Sequence, residues 1–108
     1  MGKKMDDIRN LSQIIETIQK LLMSTEIGVK VVNFENSLDL HYEEFEWLIE
    51  DFTSDNVKHY WFFSGVQDGR YDIFVFDNPK ELKRIVIESY RNLERIFIKS
   101  IQLIRYPR

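Results

Sequence analysis

The sequence predicts an α+β fold: a single domain over residues 1–108, in the order α-β-α-β-β-α, with helices packed on a small, mainly antiparallel sheet. A two-sided hairpin (57–66/71–77) is expected at its centre. Three observations lead there. Apolar residues recur at helical spacing toward both ends of the chain. An Asp68-Gly69 pair separates two aromatic-rich runs. A chain of 108 residues supplies one core but not two.

Ile8, Leu11, Ile15, Ile18 and Leu22 alternate spacings of three and four, and Ile14 and Leu21 widen the stripe, which predicts a first helix over about 5–23. Asp6-Asp7 is read as its negatively charged start, where the helix dipole favours acids. Val29 to Phe34 is rich in β-branched residues and reads as a strand, followed by a turn near Glu35-Asn36. Leu38, Leu40 and Tyr42 alternate like a short strand, but Tyr42, Phe45, Leu48, Ile49 and Phe52 have helical spacing, so a second helix is expected over about 41–53.

Residues 59–76 carry eight aromatic side chains, counting His59. With Asp68-Gly69 as the loop, Phe63 would face Phe74 and Trp61 would face Phe76. One face then holds Val57, His59, Trp61, Phe63, Phe74 and Phe76, and is expected to be core. The other holds Tyr60, Phe62, Tyr71, Ile73 and Val75, to be covered by a helix or offered to a partner. Asp77-Asn78-Pro79 resembles a capped helix start. Leu82, Val86, Tyr90, Leu93, Phe97, Ile101 and Ile104 continue at helical spacing, which predicts a third helix to about residue 98; residues 99–108 are compatible with helix or strand.

Composition narrows the chemistry. The 44% hydrophobic and 31% charged content is that of an ordinary globular chain. No apolar run approaches the length of a membrane span, and Lys3-Lys4 before Asp6-Asp7 is not a signal-peptide pattern, so the cytoplasm is the expected compartment. Absent cysteine removes disulfides and thiolate metal sites. Alanine is also absent and isoleucine abundant, as in an AT-rich bacterial or phage gene.

No catalytic motif is found. His41 in "DLHYEE" does not form the zinc-helix pattern, although Asp39, His41 and Glu43 would share a face in a strand; a solvated polar edge explains them more simply. Ser64-Gly65 lacks the nucleophile-elbow context, and four isolated glycines cannot form a phosphate cradle. The expectation is a protein that is not an enzyme, with no cofactor, no metal and no catalytic residue. "GRYDIFVF" has the basic-aromatic character of an RNA-binding strand, but its Gly-Arg order is inverted and Asp72 replaces a small residue, so no family is assigned.

Charge segregation is the outstanding signal. Residues 35–55 carry eight acids (Glu35, Asp39, Glu43, Glu44, Glu46, Glu50, Asp51, Asp55) and no Lys or Arg. Residues 79–108 carry eight bases against three acids. Like charges three or four apart weaken an isolated helix, so the acidic helix implies a use beyond folding. Trp47 lies within it and off its main apolar stripe. The leading expectation is a non-catalytic inhibitor, immunity-type or adaptor protein that binds a basic protein, such as a nuclease or toxin. It would bind through Glu43, Glu44, Glu46, Trp47, Glu50 and Asp51.

An alternative face comprises Tyr60, Phe62, Tyr71, Arg84, Arg91, Arg95 and Lys99, which would suit nucleic acid; a pI near 5.4 disfavours that polyanion. A homodimer joined through the third helix or the second hairpin face is a third reading.

Overall fold

A computed structural model describes residues 2–54, 60–67, 69–78 and 81–106. Helix α1 (Gly2–Leu22) leads into strand β1 (Gly28–His41) and helix α2 (Tyr42–Ser54). Strands β2 (Tyr60–Gln67), β3 (Arg70–Asn78), β4 (Glu81–Asn92) and β5 (Arg95–Arg105) follow. They form one antiparallel sheet in the order β1-β5-β4-β3-β2, a four-strand meander with β1 added against its last strand.

The expected order α-β-α-β-β-α does not hold. Where a third helix was expected, the chain forms the β4–β5 hairpin. The apolar residues there satisfy two periods at once. Ile85 and Ile87, then Ile96 and Ile98, then Ile101 and Leu103 alternate at the period of a strand, and all are buried. Isoleucine and valine also lose more side-chain freedom in a helix than on a pleated sheet, which favours the strand solution. The reversal between Asn92 and Arg95 uses Leu93 at φ 56°, a residue that gives no turn signal in sequence. The hairpin expected at the centre instead forms the far edge of the sheet, since β2 is its last strand.

Both helices cover one face. Ile14, Ile18 and Leu21 of α1 and Phe45, Leu48 and Ile49 of α2 pack on Leu38, Leu40, Tyr71, Ile73, Val75, Ile85, Ile87, Ile96, Ile98, Ile101 and Leu103. Each such side chain contributes roughly 1.5–3 kcal/mol by leaving water. On β3 the helices cover the face that was expected to be covered by a helix or offered to a partner, and Phe74, expected in the core, lies on the other side. Tyr71, Ile73 and Val75 belong to the core, while Phe74 is half-buried on the far face with the Arg84 guanidinium 5.7 Å from its ring centroid. A register shift between Phe63 and Gly65 pairs Phe63 with Ile73 and Trp61 with Val75, one residue from the expected partners. Val57, His59 and the loop residue Asp68 lie outside the described residues, as do Asp55 and Pro79.

The far face carries ion pairs where a second layer would otherwise be needed. Arg84 pairs with Asp72 at 2.7 Å, and Arg70 with Glu88 across the β3–β4 ladder at 3.7 Å. Glu88 thus works between strands and not along a helix. Between these pairs on β4, Val86 is fully buried outside the main core.

Strand β1 is longer than the sequence predicts. It runs through the expected turn at Glu35-Asn36 with a register shift between Asn33 and Leu38, and so brings Leu38 and Leu40 into the core. Helix α1 begins at Gly2, which leaves Asp7 inside the helix and not at its start. Asp7 is buried there and takes a two-pronged contact from Arg95, at 2.9 and 2.7 Å. Arg95 also contacts Asp39, and Asp7 accepts the His41 backbone N–H at 3.3 Å. The Arg95 hydrogen bonds hold the Asp7 carboxyl below its ordinary value of 3.8.

Candidate interaction site

The α1 stripe is wider than the core beneath it. Ile14, Ile18 and Leu21 are buried, which leaves Ile8, Leu11 and Ile15, spaced three and four apart, along the flank facing α2. On α2, burial of Phe45, Leu48 and Ile49 turns Glu44, Trp47 and Asp51 to the same flank. The two flanks enclose a groove of about 320 Å³, lined by Ile8, Leu11, Ile15, Glu44, Trp47, Leu48 and Asp51.

Two large apolar side chains stand open to water here. Trp47 is 60% exposed and Ile8 is 57% exposed. Carboxylates lie one turn to either side of the indole, Glu44 before it and Asp51 after it. The Glu44 Oε2 atom is withdrawn from solvent and has no hydrogen-bond partner among the described residues. A carboxylate oxygen in that position is costly unless a donor reaches it.

Of the acids expected at the site, Glu44 and Asp51 line the groove with Trp47; Glu43, Glu46 and Glu50 lie exposed on the outer side of α2. Local folding explains part of the acidic run. Glu43 and Glu44 occupy the first turn of α2, where the helix dipole favours them. The His41 ring completes that end, its Nδ1 accepting the Glu43 N–H at 3.2 Å. Glu50 and Asp51 lie toward the C-terminal end, where the helix dipole does not favour acids.

The basic residues are not brought into one stripe. Arg84 is held by Asp72, and Arg95 by Asp7 and Asp39. Arg91 stacks its guanidinium 3.6 Å from the Tyr42 ring centroid, and Lys99 is 5.9 Å from the Tyr90 ring. Two further bases finish α1 and its loop: Lys83 Nζ donates to the Leu22 carbonyl at 3.2 Å, and Arg105 donates to the Thr25 carbonyl. Tyr71, expected on an exposed stacking face, is 5% exposed and meets Phe45 edge-on at 5.0 Å. Burial first, then the neighbouring Tyr42 hydroxyl, push its phenol above the ordinary value of 10.0. The side chains of Tyr60 and Phe62 lie outside the described residues.

Ile8, Leu11 and Ile15 are the site residues that sequence reasoning assigned wholly to the core. Their signal was the excess width of the apolar stripe. Among the described residues no cluster of three metal-ligating side chains occurs, and no helix is long and apolar enough to cross a membrane.

No protein-family model matches this sequence, and no curated protein matches it. Among solved structures, the chain is similar to that of ORF14 from Sulfolobus islandicus filamentous virus (SIFV), at 12% identity and a TM-score of 0.52. The match covers 88% of this chain and 83% of that one. The similarity is one of fold.

Proposed function

We infer that this protein is a non-catalytic interaction module whose α1–α2 groove receives a basic protein partner, in an inhibitory, immunity-type or adaptor role. The observation that carries the reading is Trp47, 60% exposed beside Ile8, with Glu44 and Asp51 on either side. Indoles are enriched among the hot spots of protein interfaces, where truncation costs about 2 kcal/mol or more of binding. The outer acids Glu43, Glu46 and Glu50 would add long-range attraction, which speeds encounter with a cationic surface and weakens as salt rises. A Lys or Arg on the partner would supply the donor that Glu44 Oε2 lacks.

Affinity capture from lysate of the source organism tests this, with nuclease-treated and untreated samples beside the triple variant Glu43→Lys, Glu46→Lys, Glu50→Lys and the single variant Trp47→Ala. The expected result is a basic protein retained after nuclease treatment and lost with both variants. Capture that disappears with nuclease yet survives both variants would move binding to nucleic acid and overturn the reading.

A further inference from the structure

Strand β1 is the edge of the sheet beside α1. Over Gly28–Asn33 it pairs regularly with β5 on one side, and among the described residues no strand lies on the other. Alternate residues of a strand turn their backbone N–H and C=O groups to opposite sides, so part of this stretch presents free pairing groups outward. Val29 and Val31 on it are 60% and 44% exposed, and Ile27 just before it is 65% exposed. The usual protections of an edge are weak here. Lys30 is the one charge in the stretch, and it is drawn toward Glu26 at 3.4 Å. The register shift comes only after Asn33. Alongside, Thr17, Lys20, Leu21 and Ser24 of the α1 side complete a groove of about 500 Å³ with Lys30, Val31 and Val32.

We propose that a second copy of this chain occupies this edge, its β1 adding antiparallel to β1 across a two-fold axis to make a continuous ten-stranded sheet. Two features argue for a copy of the same chain. With Val31 on the axis, Val29 lies opposite Asn33 of the second copy and Lys30 opposite Val32, so no like charges meet. Moving the register by two residues either way sets Lys30 against Lys30, or Val29 against Glu35.

The spacing of the helices also fits. Helix α1 sits over β1 and β5, so joining two copies at β1 puts the two α1 axes about two strand spacings apart, ~9.6 Å, close to the ~8–10 Å of packed helices. The Trp47 groove lies on the other flank of α1, so the two surfaces are independent.

The test is sedimentation equilibrium of the full chain up to about 100 µM, a range that detects micromolar association. Wild type is compared with Val31→Lys and Val31→Glu, alone and mixed one to one, with circular dichroism confirming that each is folded. The expected result is wild type at twice the 13.1 kDa chain mass, each variant monomeric, and the mixture dimeric again through Lys-Glu pairing on the axis. Wild type that stays monomeric, a dimer that persists in Val31→Lys, or folded variants that fail to re-associate would each overturn the proposal. Should either Val31 variant unfold, amide hydrogen exchange of the wild type decides: protection of the Gly28–Asn33 amides that rises with protein concentration supports it, and protection that does not change with concentration overturns it.

Discussion

Gly69 shows how one residue can fasten two strands. Its φ of 77° lies in the left-handed region, and a Cβ there would land on the Ser89 carbonyl oxygen. The Gly69 carbonyl accepts both the Ser89 N–H at 2.8 Å and the Ser89 hydroxyl at 2.7 Å, which ties the β2–β3 turn to β4. Gly69→Ala combines the left-handed penalty with a clash against backbone, and a loss of about 2–4 kcal/mol is expected in denaturant unfolding. Asp7 makes a comparable link between α1 and β5. Because its folded pKa lies below the ordinary 3.8, this group's contribution is fully present above that value and is lost as pH falls toward the folded value. Asp7→Asn leaves Arg95 with Asp39 alone and should cost about 2–4 kcal/mol at pH 7. Urea titrations across pH should show that deficit shrinking below about pH 3.8 as the wild-type carboxyl takes up its proton.

Elements differ in how plainly the sequence announces them. The α1 stripe has one period and one reading, and the helix lies where the stripe runs. The turn that carries Gly69 was legible because glycine takes the positive φ of a tight reversal without steric cost, which makes Asp-Gly a strong hairpin signal. From residue 81 onward the apolar residues fit both a helix and a pair of strands, because nearly every second or third position is Ile, Val or Leu. Asn92-Leu93-Glu94 offered no break to divide them. Leu93 holds a positive φ at 84% exposure and gains little in return. Leu93→Gly should therefore raise stability by about 0.5–1 kcal/mol, seen as a higher denaturation midpoint with an unchanged slope. A true helix over 81–98 would instead have been weakened by glycine by about 1 kcal/mol. The candidate site was partly legible for the same kind of reason. Trp47 stood off the apolar stripe of α2, so its exposure followed from periodicity. The contribution of Ile8, Leu11 and Ile15 depends on how α1 and α2 lie side by side, which no local pattern encodes.

Across the whole molecule, charge is segregated by region. Lys83 closes the end of α1 and Arg84 and Arg95 pair with carboxylates, while Glu43, Glu46, Glu50 and Asp51 are exposed on α2 around a large open indole. Net charge of −3 conceals this division. On the proposed reading, binding to a basic partner depends on salt at the outer acids and on the groove at its centre. The most direct measurement is the affinity of the captured partner for wild type and Trp47→Ala at low and physiological ionic strength, each protein first shown to be folded. A loss of about 2 kcal/mol, ~30-fold in Kd, is expected at both ionic strengths, with wild-type affinity itself falling as salt rises. Affinity of Trp47→Ala within twofold of wild type, or wild-type binding indifferent to salt, would contradict the proposal that this acidic groove is the binding site.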